Sequence, residues 1–124
     1  MLEIGLTFES TTTVSASNTA ATLGSGDMDV FATPAMVALM ENAAMNAVAP
    51  HLEQGQTTVG TQITTSHIKA SALGATISAT ATLTAVDGRS LTFSIVASEG
   101  DKTIGEGTHT RFIVDRERFL AKLK

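Results

Sequence analysis

The chain has 124 residues, 43% of them hydrophobic, a net charge of −4 and no cysteine. That is enough for a single domain with a buried core, and it excludes a disulfide framework and a thiolate metal site. Trp and Tyr are absent and Phe occurs five times, so the core is predicted to be aliphatic. The pI near 5.2 and the shortage of stacking rings argue against a nucleic-acid partner.

No apolar run reaches the roughly 20 residues that span a bilayer. Acidic Glu3 stands where a secretion signal would carry Lys or Arg, so no membrane partner and a soluble, cytoplasmic location are expected. Taken in order, Leu2 to Val14 is Thr-rich with Ile4, Leu6 and Phe8 on one face, which predicts a strand. Ser15 to Val30 turns to Ser, Asn, Gly and Asp, loosest at Gly24-Ser25-Gly26-Asp27, and reads as a loop, either a plain connector or a mobile lid.

Phe31 to Pro50 is the long helix around which the rest is predicted to be arranged. Thr33 is expected to cap its start, with Pro34 presetting the first turn and Pro50 stopping it. Between them only Glu41, Asn42 and Asn46 are strongly polar, so the helix is predicted to be buried all round. Three extended stretches follow the polar turn at Gly55. Thr57 to Ala70 is one; Ala75 to Val86 and Leu91 to Ser98 form a hairpin across Asp87-Gly88. After Gly100-Asp101 comes a last strand, Lys102 to Val114, and Asp115 is predicted to cap a short closing helix with Phe119, Leu120 and Leu123 on its apolar side.

This order predicts an α+β fold, an antiparallel sheet wrapped around one long buried helix with a short C-terminal helix. The open edges of one small sheet predict a homodimer or higher homo-oligomer. Five of the eight basic residues fall at Arg111, Arg116, Arg118, Lys122 and Lys124. A solvated helix face is the plain reading of that cluster, and contact with phosphates the alternative.

The candidate polar groups are Thr33, Glu41, His67, His109 and Arg111. Glu41 is the one that asks for an explanation. Its helix neighbours Val37, Ala38, Ala44 and Met45 offer its charge nothing, and desolvating a lone carboxylate costs several kcal/mol or forces it to take up a proton. A reactive role is therefore expected of it. Thr33 reads as a cap, His51 as a solvated loop residue and His109 as structural, while His67 taken alone reads as an exposed strand residue.

Together these residues resemble the hot-dog fold acyl-CoA thioesterases, and among them the fluoroacetyl-CoA thioesterase-like family. The resemblance runs over nearly the full chain. It is carried by Phe-Ala-Thr33-Pro with Glu41 eight positions on, Gly60 in Thr-Val-Gly-Thr, His67 in Ser-His-Ile, and Arg111 in Thr-Arg-Phe-Ile-Val. It implies hydrolysis of a small acyl-CoA, with Thr33, Glu41 and His67 as the catalytic set, Gly60 assisting at the thioester and Arg111 binding substrate or supporting the site. No metal and no cofactor are implied beyond the coenzyme A of the substrate. The family's lid aromatics have no counterpart in Leu23-Gly24-Ser25-Gly26-Asp27, so the activity is implied and fluoroacetyl specificity is not.

A hot-dog enoyl-CoA hydratase or dehydratase and a non-catalytic acyl-CoA binding module are the competing readings. Eight residues of ideal helix place Thr33 and Glu41 about 12 Å apart along the axis. Either the substrate lies along the helix or the site draws on two protomers.

Overall fold

The computed structural model describes residues 2–124. Its elements are β1 (Thr7–Thr13), a short helix α1 (Ala20–Leu23), the long helix α2 (Thr33–Val48), β2 (Gln56–His67), β3 (Thr76–Asp87), β4 (Ser90–Glu99), β5 (Lys102–Asp115) and α3 (Arg116–Ala121). A 3₁₀ turn over Ala49–His51 closes α2 at Pro50. The strands form one antiparallel sheet in the order β1-β3-β4-β5-β2. As the sequence predicts, the long helix lies in the concavity of this sheet, across β1 and β3.

Strict alternation builds the sheet's inner face: Ile77, Ala79, Ala81 and Leu83 of β3 and Leu91, Phe93, Ile95 and Ala97 of β4 are all buried. The β3–β4 loop is Gly88–Arg89, one residue later than predicted, because Asp87 still pairs with Ser90. The first strand is also shorter than predicted, beginning at Thr7.

Burial of α2 runs along one stripe. Met36, Met40, Ala43, Ala44, Ala47 and Val48 are buried, the three-and-four spacing of a helix face, and burying each methionine contributes about 2 kcal/mol. Small residues let the helix come close: a Cβ at Gly105 of β5 would lie 2.6 Å from Met36 Sδ. The expectation of all-round burial is corrected on the other side, where Pro34, Ala38 and Asn42 are exposed and Val37, Leu39 and Met45 are half-buried. One small sheet reaches round only part of a helix.

Asp115 caps α3 as predicted, its carboxylate accepting from the Arg118 N–H at 3.0 Å. Phe119 and Leu120 of the helix, and Leu123 just beyond its end, remain exposed. Among the described residues no helix is long and apolar enough to cross a membrane.

Candidate active site

Thr33 does not cap α2. Ala32 is the N-cap residue and no side chain closes the helix start, so the threonine hydroxyl is free for another partner. It lies 2.8 Å from Nδ1 of His67, the last residue of β2. The imidazole stands edge-on to Phe31, with centroids 6.4 Å apart, and its Nε2 is buried without a hydrogen-bond partner. Burial pushes the His67 pKa below the ordinary imidazole value, while the polar backbone at Lys69 works the other way. At neutral pH the ring is therefore uncharged, one nitrogen engaged with a hydroxyl and the other unspent.

This pair borders a cavity of about 250 Å³ whose wall includes Ser25, Val30, Phe31 and Lys69. Ser25 and Val30 come from the segment read as a loop, and here the expectation is corrected. Thr19 caps α1 by accepting from the Thr22 N–H at 3.2 Å. The Ala20 N–H donates to the Val30 carbonyl at 2.8 Å, and Thr19 bridges Phe31. The segment carries the short helix α1 and folds back on itself through these bonds.

Glu41 lies two turns further along α2, half-exposed and facing β5. The expectation of an uncompensated carboxylate is corrected: its Oε2 is 3.8 Å from Arg111 Nη1. Arg111 is itself clamped, donating from Nε to Thr58 Oγ1 at 2.7 Å and from Nη2 to the Thr58 carbonyl at 2.9 Å. Burial pushes its pKa down while the charge of Glu41 pushes back, and a guanidinium stays charged throughout. His109, read as structural, sits beside it with Nε2 3.2 Å from Arg111 Nη1 and Nδ1 2.7 Å from the Gln62 carbonyl.

Gly60 supplies the room for this group. A Cβ there would stand 2.7 Å from Glu41 Oε2 and 3.1 Å from His109 Cε1, so the carboxylate would have to swing away. Immediately after it the ladder slips: Gly60 pairs with Arg111 but Gln62 with Thr110, which leaves Thr61 as the extra residue of a bulge. Residues seven apart on a regular strand face opposite sides. The bulge reverses that parity, so Gly60 meets Glu41 while Thr65 and His67 also turn toward α2, touching Met40 and Thr33.

Comparison with known proteins decides the family. The family model described as fluoroacetyl-CoA-specific thioesterase matches residues 14–117. A fluoroacetyl-CoA thioesterase from Streptantibioticus cattleyicolor is 44% identical over 96 residues, covering 77% of this chain and 69% of that protein. The chain belongs to the fluoroacetyl-CoA-specific thioesterase family. A solved fluoroacetyl-CoA thioesterase superposes with a TM-score of 0.92 at 36% identity, over 99% of this chain and 96% of that one. A hot-dog-like protein from Thermanaerovibrio acidaminovorans, at 21% identity, covers 98% of this chain and 90% of its own with a TM-score of 0.89. The hot-dog fold expected from the sequence is the fold observed.

In this member of the thioesterase family the five residues singled out by resemblance form two groups. Thr33 bonds His67; Glu41, Gly60 and Arg111 gather at the bulge. Gly60 and His67 lie roughly 20 Å apart along β2, at about 3.3 Å per residue. A single carbonyl cannot touch both groups in one copy of the chain. Thr58 was missed and His109 was read only as structural, although each stands two residues before a residue that was singled out, Gly60 and Arg111. A period-two reading of those strands would have placed them on the same face.

Proposed function

We propose that this chain hydrolyses a small acyl-CoA thioester to the acid and free CoA, with Glu41 activating the attacking water and His67, held by Thr33, handling protons. The observation that carries this reading is the Thr33–His67 bond of 2.8 Å in a chain whose relatives are fluoroacetyl-CoA thioesterases. Glu41, as the anion in the site, draws the proton from an attacking water, and the carbonyl oxygen gathers negative charge. The start of α2 lacks a side-chain cap, so its free N–H groups are available to that oxyanion. One such donor is commonly worth about 3 kcal/mol. Collapse of the tetrahedral intermediate expels the CoA thiolate, which takes up the proton that Glu41 drew from the water, relayed through the imidazole of His67, so that the carboxylate and the neutral ring are both restored.

The reading includes a site shared between two protomers. β2 is an edge strand, paired only with β5. Antiparallel pairing of two β2 strands about a two-fold near Ile63 and Thr64 sets Gly60 of one protomer opposite the partner's His67. That juxtaposition closes the roughly 20 Å gap and covers part of the α2 surface that one sheet leaves open. The acyl group is proposed to be small, with no selectivity for the fluorinated one, since residues 23–27 supply no aromatic ring beside the cavity.

The test is a panel at neutral pH with light scattering alongside. Thiol release from acetyl-, propionyl- and fluoroacetyl-CoA supports hydrolysis. Loss of crotonyl-CoA absorbance without thiol release would establish a hydratase instead, and saturable binding without turnover a binding module. A particle of at least twice 12.8 kDa is expected; a monomer that turns over would overturn the shared site.

A further inference from the structure

His109 is 1% exposed, polar, and unused by the proposed reaction. A histidine so placed needs both nitrogens satisfied, and the surroundings leave one solution. Gln62 offers only a carbonyl oxygen to Nδ1, at 2.7 Å, so Nδ1 must carry the hydrogen. Arg111 offers only N–H groups to Nε2, at 3.2 Å, so Nε2 must be the acceptor. Glu41 Oε2 lies 3.9 Å from the same nitrogen; with two acceptors facing each other that approach is no ion pair while the ring is neutral.

We infer that His109 is a positioning residue: fixed as the Nδ1–H tautomer, it accepts from Arg111 and holds the guanidinium against Glu41. Three of the guanidinium's five hydrogens are then spent, two on Thr58 and one on His109, and the plane can turn no further. What remains of Nη1 faces the carboxylate. A proton on Nε2 undoes this at once. It removes the acceptor, sets a cation against Arg111 on the same strand, and supplies Glu41 on α2 with a competing partner. The other groups facing the ring are the Gln62 carbonyl on β2 and Phe93 on β4, its centroid 6.3 Å away, and neither takes up charge. Burial first, and Arg111 after it, hold the His109 pKa below its ordinary value, while Gln62 and Glu41 push it up, so the neutral form persists into mild acid.

The inference deepens the proposed hydrolysis, and its test has an arm that does not depend on turnover. ¹⁵N-histidine spectra of the full chain resolve three rings, and the signal lost in His109→Gln is His109. The expected spectrum shows a protonated Nδ1 and a bare Nε2 that stays bare as pH falls through the ordinary imidazole value of about 6.5. An Nε2–H tautomer, or protonation of Nε2 at or above that value, would overturn the assignment. In kinetics, His109→Leu should lower kcat roughly tenfold or more with KM within about twofold, since misplacement by an ångström is costly. His109→Gln, whose amide oxygen can still accept from Arg111, should recover most of the loss. Losses that instead follow Tm equally in both variants mean a packing role only. If His109→Leu does not fold, the spectra decide by themselves. Absence of turnover in the unaltered protein would remove the hydrolase reading and leave the tautomer to stand or fall on the spectra.

Discussion

The two groups along α2 make contrasting use of the same fold. At its start Thr33 is exposed, His67 is half-buried, and the pair rests on one hydrogen bond beside an open cavity. Two turns on, Arg111 and His109 are buried and tied to Thr58 and Gln62, with only Glu41 reaching toward solvent. The first group keeps an unspent nitrogen and free helix N–H groups; the second spends nearly every donor it has. A reaction that must bind a changing charge and move protons needs both kinds of surroundings. Fixed dipoles lower the cost of charge development, and a loosely held imidazole can exchange protons.

The largest effect should come from removing the one group the fixed cluster presents. Glu41→Gln is expected to lower kcat at least about a hundredfold, near 3 kcal/mol, with an unchanged circular dichroism spectrum. His67→Ala should do likewise. If the two groups act on one carbonyl, the double variant loses far less than the product of the single losses; multiplicative losses would separate them into independent sites.

Next is the room at the bulge. Gly60→Ala places a Cβ 2.7 Å from Glu41 Oε2, so the carboxylate must move. A kcat loss of roughly tenfold to a hundredfold is expected, with about 1–3 kcal/mol of overpacking in chemical denaturation. Full activity in this variant would mean that Glu41 works from another position.

Thr33 separates capping from chemistry. Because its hydroxyl bonds His67 and caps nothing, Thr33→Ala should cost under about 0.5 kcal/mol of stability, against about 1 for loss of a real cap. Activity should fall about tenfold or more through the freed imidazole. Thr33→Ser should retain most of it. A Tm drop as large as the activity loss would return Thr33 to the helix cap.

The smallest effect is on stability against pH. His67 and His109 both have pKa values lowered by burial, so in the window between their folded values and the ordinary value of about 6.5 the unfolded chain binds more protons. Stability is therefore full above that value and declines as pH falls through the window. Tm measured from pH 7.5 to 5 should drop, and His109→Gln should flatten the drop. A rise in Tm toward acid would contradict neutral burial of both rings.

From the sequence alone the order of the strands around α2, the two prolines bracketing that helix, the turn at Gly100 and the cap at Asp115 were legible, because these depend on local backbone preferences. The family was legible too, in the spacing of Thr33, Glu41, Gly60, His67 and Arg111. Which partner each side chain takes was decided by tertiary structure. Thr33 looks like a cap until β2 delivers an imidazole to its hydroxyl. Glu41 looks unpaired because its helix neighbours are apolar, yet its cation stands seventy positions away on β5. His67 and Gly60 share a face only because one extra residue at Thr61 reverses the strand's alternation. Periodicity shows where a side chain points along its own element, whereas the partner across the core depends on register, and register is settled only when the whole sheet closes over the helix.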